Sequence, residues 1–206
     1  MYFSKRVYKK IMTDNQTLAV YDEKINDYIK LTKAPASKSL LAFIQAIPSG
    51  GRVLDLGCGP GSAAAEMAQC GLKVDAIDGS QKMVDATKKY SKVTVWKATF
   101  HDLPNHPTYD GIYANFSLLH AKRSDFITHI KSCHDALFQG GIFHLGMKVG
   151  TGGKRDTLGR LYTYYSVEEL TKILVTAGFT LDYKNEGKEM GLAGEVEPFV
   201  MIKAHA

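Results

Sequence analysis

The stretch from Val53 to Gly61, VLDLGCGPG, constrains the fold of this chain more than any other. Val53, Leu54 and Leu56 read as a short buried strand, with Asp55 near its carboxyl end. Gly57, Gly59 and Gly61 follow at alternate positions, where backbone lacking Cβ atoms bends freely and lets a ligand approach closely. SAAAEMAQ then opens a helix. Strand, glycine turn and helix form the first half of a nucleotide-binding α/β unit, which takes its ligand above the strand's carboxyl end. Glycines also serve ordinary connections, but three alternating ones after an acid-tipped apolar strand exceed what a turn requires.

Spacing narrows the ligand. A dinucleotide fingerprint, G-x-G-x-x-G, fails at its third glycine, where Ser62 stands, and no lysine follows Gly61 as a P-loop demands. Asp55 beside the turn repels phosphate and suits a cationic amino group. Roughly twenty residues on, a second apolar strand, Leu72 to Ile77, ends at Asp78, where an acid can accept both ribose hydroxyls of an adenosine. One acid for an ammonium and one for a ribose describe S-adenosylmethionine (SAM) better than NAD. In these residues the chain resembles the class I SAM-dependent methyltransferases, through VLDLGCGPG, VDAIDGSQKMV, the stretch from Val93 to Leu119, and LFQGGIFHLGMK.

That resemblance implies an α/β fold: a Rossmann-like three-layer sandwich around a seven-stranded sheet of order 3-2-1-4-5-7-6, the last strand antiparallel. It implies SAM as cofactor, held by Asp55, Gly57, Cys58, Gly59, Asp78 and Gly79. Met83 and Phe100 would lie along the adenine. Thr99 stands where many members of the family place an Asp for the adenine amino group; a hydroxyl or a carbonyl there substitutes at about 1 kcal/mol. Asp102 is assigned to the loop itself. Asn115 ends the fourth strand, Tyr109 to Asn115, beside the transferable methyl group. Asn115-Phe116-Ser117-Leu118 lacks the prolines of enzymes that methylate exocyclic amines of bases. Residues 1–35 form an arm and a lid helix, and 36–206 the catalytic domain.

The segment Asn15 to Thr32 has helical periodicity, with Leu18, Tyr21, Ile25, Tyr28 and Ile29 on one face. In the resembled family such a helix lies over the cofactor, and Tyr28, or Tyr21 as second choice, would bond the methionine carboxylate; plain aromatic packing explains the stripe equally well. A helix follows Pro35, and further helices are expected over Gln81 to Tyr90 and Phe126 to Leu137, the latter capped by Ser124 or Asp125. Gln139-Gly140-Gly141 leads to a fifth strand, Ile142 to Met147, and Lys148 to Asp156 reads as a mobile loop. Ser166 and Glu169 make a capping box, and Phe179 to Tyr183 and Glu197 to Ala204 are the last strands.

On the substrate side, Arg160, Tyr162, Tyr164 and Tyr165 precede that capped helix and suit a planar or anionic acceptor, or else form a packed seam. Arg160, Tyr162 and the histidine after the fourth strand, His120, are the catalytic candidates, with His101 second to His120. None of the seven histidines shows a metal-site spacing. The three cysteines, Cys58, Cys70 and Cys133, suggest neither a disulfide framework nor a zinc cluster. A chain of 206 residues with 45% hydrophobic content suits a single soluble domain in the cytoplasm, and MYFSKRVYKK lacks the apolar centre of a signal peptide. The net charge of +5 owes four of its positives to Lys5, Arg6, Lys9 and Lys10, so residues 1–11 read as a basic extension outside the core. Together these features favour methyl transfer to a small molecule. An RNA substrate, in particular tRNA, and a SAM-binding regulator without turnover stay open as alternatives.

Overall fold

The computed structural model describes residues 14–31 and 36–206; the basic extension, Thr32 and Pro35 lie outside them. Strands β1 (Arg52–Leu56), β2 (Lys73–Asp78), β3 (Val93–Lys97), β4 (Tyr109–Asn115) and β5 (Leu137–Lys148) run parallel, with β1 central between β2 and β4. Strand β9 (Val196–His205) lies antiparallel between β5 and β8 (Thr180–Met190) and completes a seven-stranded sheet. Its order is β3-β2-β1-β4-β5-β9-β8, which is the expected 3-2-1-4-5-7-6 once two short strands outside the sheet are set aside. Those two, β6 (Gly153–Arg155) and β7 (Leu161–Thr163), pair as a hairpin where a mobile loop was expected.

Alternation along the strands divides the core into two layers, because successive side chains point to opposite faces of a sheet. Val53, Val74 and Tyr113 meet α3 (Lys38–Ala46) and α4 (Ser62–Gln69) through Phe43, Ala64 and Met67. Leu54, Leu56, Ile112, Phe143 and Leu145 meet α6 (Arg123–Ala136) and α7 (Val167–Ala177) through Phe126, Ile130, Leu170 and Leu174. Burial on both faces explains why the central strands read as nearly continuous apolar runs. Helix α5 (Gln81–Thr87) follows β2, capped by the Ser80 hydroxyl, which accepts from the N–H of Met83.

Several boundaries differ from expectation for identifiable reasons. The amino-terminal helix is two, α1 (Asn15–Glu23) and α2 (Ile25–Leu31), broken at Lys24. Helix α6 starts after Lys122, which offers no side-chain cap, and Ser124 and Asp125 sit inside its first turn. Arg123 fixes that start by donating to Glu169 and to the carbonyl of Tyr164. Strand β5 begins directly after α6: Gly140 donates to the carbonyl of Ala206, so the glycine pair belongs to the ladder with the end of the chain. The helix after Ser80 stops at Thr87, and β8 extends to Met190 because it pairs with β9 almost throughout. Among the described residues no helix is long and apolar enough to cross a membrane.

At α7 the capping box forms as expected: the N–H of Glu169 donates to Ser166, and the N–H of Ser166 to the Glu169 carboxylate. Replacing Ser166 with Ala should lower stability by about 1 kcal/mol. Chemical denaturation reads this as an earlier midpoint at unchanged slope.

Candidate functional site

The floor of the site is the turn between β1 and α4. The N–H groups of Gly57 and Cys58 both donate to the carbonyl of Ile77, and that of Gly59 donates to Asp78 Oδ2 at 2.9 Å. Gly57 has φ +77°, and a Cβ there would stand 2.4 Å from Cβ of Ser117. Ser117 in turn donates to the carbonyl of Leu56 at 2.5 Å, so the tips of β1 and β4 are fastened together by a contact that only glycine admits. At Gly59, φ is +53° and a Cβ would lie 3.2 Å from the Tyr28 ring. Bare backbone thus faces a cavity.

Of the residues assigned from sequence, Tyr28, Gly57, Gly59, Asp78, Gly79, Met83, Thr99, Phe100 and Asn115 line this cavity, together with His120. Two do not. Cys58 turns its thiol into the core near Thr87, where burial pushes its pKa up, so only its backbone belongs to the turn. Asp55 is buried beneath the floor, and its Oδ2 has no hydrogen-bond partner. Burial, then the charge of Asp78, raise its pKa to about 7, against the opposing N–H of Ala64. Asp78 accepts from Ser80 and Gly59, yet burial still raises it to about 6. Two acids crowded under one cavity favour a cation above them.

The loop assigned from sequence to the adenine is self-contained. Asp102 accepts from both the N–H and the hydroxyl of Thr99, at 2.7 and 2.8 Å, closing a capping box over Phe100–Asp102. Across the cavity, Asn115 Oδ1 accepts from His144 Nε2 at 3.1 Å. Burial pushes the His144 pKa down to about 3, so this ring is neutral, stacked on Tyr113 at 4.3 Å. The Asn115 amide nitrogen keeps its donors for the cavity.

Helix α1 closes the top. Asp22 accepts from the Ser80 hydroxyl and the N–H of Lys82, and Leu18 covers Gly79. The β6–β7 hairpin clasps the same helix from the other side. Arg155 donates through both terminal nitrogens to Asp14, at 2.8 and 3.0 Å, and the N–H of Leu161 donates to the Thr17 hydroxyl. His120 Nδ1 donates to the carbonyl of Leu161 at 2.6 Å, which leaves Nε2 to accept from the Tyr21 hydroxyl at 2.7 Å. Burial lowers its pKa to about 4, so His120 is neutral with both nitrogens engaged. Arg160 donates to Asp156 Oδ2 through two nitrogens and to the Tyr21 oxygen at 3.1 Å.

A second, larger cavity adjoins the first and shares Tyr21, Tyr28, Asn115 and Phe116 as walls. Arg160 and Tyr162 line it, as do Pro60 and Ser62 at the back of the glycine turn, so the structure brings the substrate-side candidates into a space that adjoins the first rather than into the first itself. His120 stands on the glycine-turn side. His101 packs against His129 instead, at 4.4 Å. Three wall residues escaped sequence reasoning. Phe116 has φ +54°, a conformation that bulky residues seldom adopt and that costs on the order of 1–3 kcal/mol. Lys148 and Glu189 line the second cavity as well. A lysine ending an apolar strand was a readable signal; Phe116 and Glu189 left none. Among the described residues no three His, Cys, Asp or Glu side chains gather as a metal site.

Residues 53–141 match the family model of a methyltransferase domain. A search of the curated proteins found no match. Among solved structures, Burkholderia thailandensis 1,6-didemethyltoxoflavin-N1-methyltransferase, with 1,6-didemethyltoxoflavin and S-adenosylhomocysteine bound, is 18% identical. It aligns over 100% of this chain and 97% of that one, with a TM-score of 0.71. The [4+2]-cyclase SpnF, 17% identical, aligns over 94% and 97% with a TM-score of 0.75. A SAM-dependent methyltransferase from Methanosarcina mazei, also 17% identical, aligns over 78% and 94% with a TM-score of 0.69. The chain has the class I SAM-dependent methyltransferase fold, with the methyltransferase domain recognisable from β1 to the start of β5.

The raised acids set a pH dependence. A carboxyl whose pKa is higher folded than unfolded holds its proton more tightly in the native state. Its contribution is complete below about pH 4 and is lost as pH rises through about 6 to 7. Asp55→Asn, which stays neutral throughout, should therefore raise the melting temperature more at pH 8 than at pH 4, by up to a few kcal/mol of relative stability. Equal shifts at the two pH values would show that Asp55 is not held protonated.

Proposed function

We propose, with the class I methyltransferase fold as premise, that this chain binds SAM in the cavity over the glycine turn and methylates a small molecule held in the second cavity. The observation that supports this reading is a pair of adjoining spaces that share Tyr21, Tyr28, Asn115 and Phe116: one over Gly57 and Gly59, and one lined by Pro60 and Ser62 as well as by Arg160, Tyr162 and Lys148. The residues present fit the cofactor. Asp78 has acceptor capacity beyond its two backbone bonds, which suits a ribose diol. The buried, unpartnered Oδ2 of Asp55 suits a cationic amino acid, because a cation bound nearby would favour the ionised form of a carboxyl that burial holds toward protonation. Met83, Thr99 and Phe100 form the side for a flat base, and Tyr28 stands over Gly59, where it would meet the amino-acid end.

SAM, when bound, supplies an activated methyl group on a good leaving group, so the protein's task is alignment and exclusion of water. Here α1 is the lid, residues 14–31 being its described part, and Asp14, Thr17, Tyr21 and Asp22 are its latches. His120 and Arg160 act as positioning residues: both grip Tyr21 and so set one wall of the acceptor space. Neither is placed as a free general base in this closed arrangement. Tyr162, buried and facing the acceptor space, supplies a flat surface for the substrate.

A small acceptor is favoured over RNA by charge. Arg160 is bound to Asp156, and Lys148 stands within 4 Å of Glu189 and Glu197, so two of the three cations lining the cavity, Lys89 being the third, are already attended by carboxylates and offer little to a phosphate backbone. Incubation with methyl-labelled SAM and fractionated metabolites tests the reading. Label should enter a small-molecule fraction, and Asp78→Ala should weaken SAM affinity about tenfold or more, measured by calorimetry. Label confined to RNA would replace the acceptor class. Tight binding without transfer to any fraction would leave a SAM-binding regulator.

A further inference from the structure

Lys148 ends β5 beside the tip of β4, and its side chain is 5% exposed. Its Nζ has no hydrogen-bond partner among the described residues. Two carboxylates attend it, Glu189 Oε1 at 3.9 Å and Glu197 Oε2 at 3.8 Å, close enough to balance its charge but beyond hydrogen-bond reach. Glu189 and Glu197 face each other directly across β8 and β9, an opposition of like charges that the lysine between them relieves. Glu197 also accepts from the Tyr164 hydroxyl at 2.7 Å, which turns it away from the cavity. Glu189 is half-exposed and lines the cavity with Lys148.

A buried ammonium whose donors meet no acceptor is costly to keep. Its charge is neutralised at a distance while its protons stay undirected, which is the state of a donor that awaits an oxygen from a ligand. Beside it stands a carboxylate able to accept. The surrounding walls, Phe116, Tyr28 and Tyr162, are aromatic, and Nζ lies 5.6 Å from the centre of the Phe116 ring.

We propose that Lys148 and Glu189 recognise the acceptor by an amide-like edge on a planar heterocycle, Lys148 donating to its carbonyl oxygen and Glu189 accepting from the adjacent N–H. This assignment rests on the reading of the second cavity as the acceptor site. Because the local charge of one lysine and two glutamates is already negative, a neutral carbonyl suits the site better than a full anion. The pair determines specificity and orientation; it transfers no proton in this account.

The probes are 2-quinolone, which carries that edge, and quinoline, which has the same ring system without the carbonyl and N–H. Their binding is followed by fluorescence with saturating S-adenosylhomocysteine. The full chain should bind 2-quinolone about tenfold or more tightly than quinoline, the scale of a charge-assisted hydrogen bond. Lys148→Met, of similar volume and without charge, should reduce that preference to within about twofold, and Glu189→Leu should diminish it. Equal affinities for the two probes in the unaltered chain, no binding of either, or a preference that survives in a folded Lys148→Met protein would overturn the proposal. The comparison in the unaltered chain stands even if the variant does not fold. Calorimetry of S-adenosylhomocysteine in the same samples keeps the two readings apart: failure there defeats the donor site, while failure of the quinolone preference alone defeats only the edge recognition.

Discussion

The carboxylate of Asp78 ties the site together. One oxygen accepts from the N–H of Gly59 and the other from that of Ser80, so the tip of β2 holds both the glycine turn and the start of α5. These bonds are made by an acid that burial pushes toward protonation, raising its pKa to about 6. The arrangement is therefore strained electrostatically and satisfied geometrically, a combination common where a protein is preorganised for a ligand. Asp55, with an oxygen lacking any hydrogen-bond partner, is pushed toward protonation by the same burial and by the charge of Asp78.

Around that anchor the structure builds two compartments rather than one. Their partition depends on the β4 tip, where Ser117 fastens to β1 and Phe116 accepts an unfavourable backbone conformation. The lid is held from two directions, by α5 through Asp22 and by the β6–β7 hairpin through Arg155 and Leu161. Latches of this kind rest on a few exposed or half-buried polar contacts rather than on apolar area, so they open more readily than the sheet does. Arg160 both lines the second cavity and donates to Tyr21 of α1, so its substitution perturbs the wall and the helix together.

The sheet and its donor-side edge were legible because they follow from local pattern. Apolar runs ending in Asp55 and Asp78, glycines at alternate positions, and the helix signals at Ser80 and Ser166 each specify a conformation within a few residues. What was hidden depends on elements distant in sequence. Asp14 meets Arg155, and Tyr21 meets His120 and Arg160, through packing that no periodicity encodes. Glu189 and Lys148 come together only because β9 inserts between β5 and β8. Lys148 to Asp156 reads as a loop from its glycines, yet it carries a hairpin strand because β7 supplies a partner. Cys58, read as part of the cofactor site, gives only backbone, since its thiol fills the core under the turn.

We propose that a pair of buried acids under bare backbone selects a cationic adenosyl amino acid. A crystal structure of the chain grown with S-adenosylhomocysteine tests it most directly. Ribose hydroxyls should be found on Asp78 and the amino-acid end above Gly57 and Gly59. Density absent from that cleft, or the ribose found against any other side chain, would contradict it.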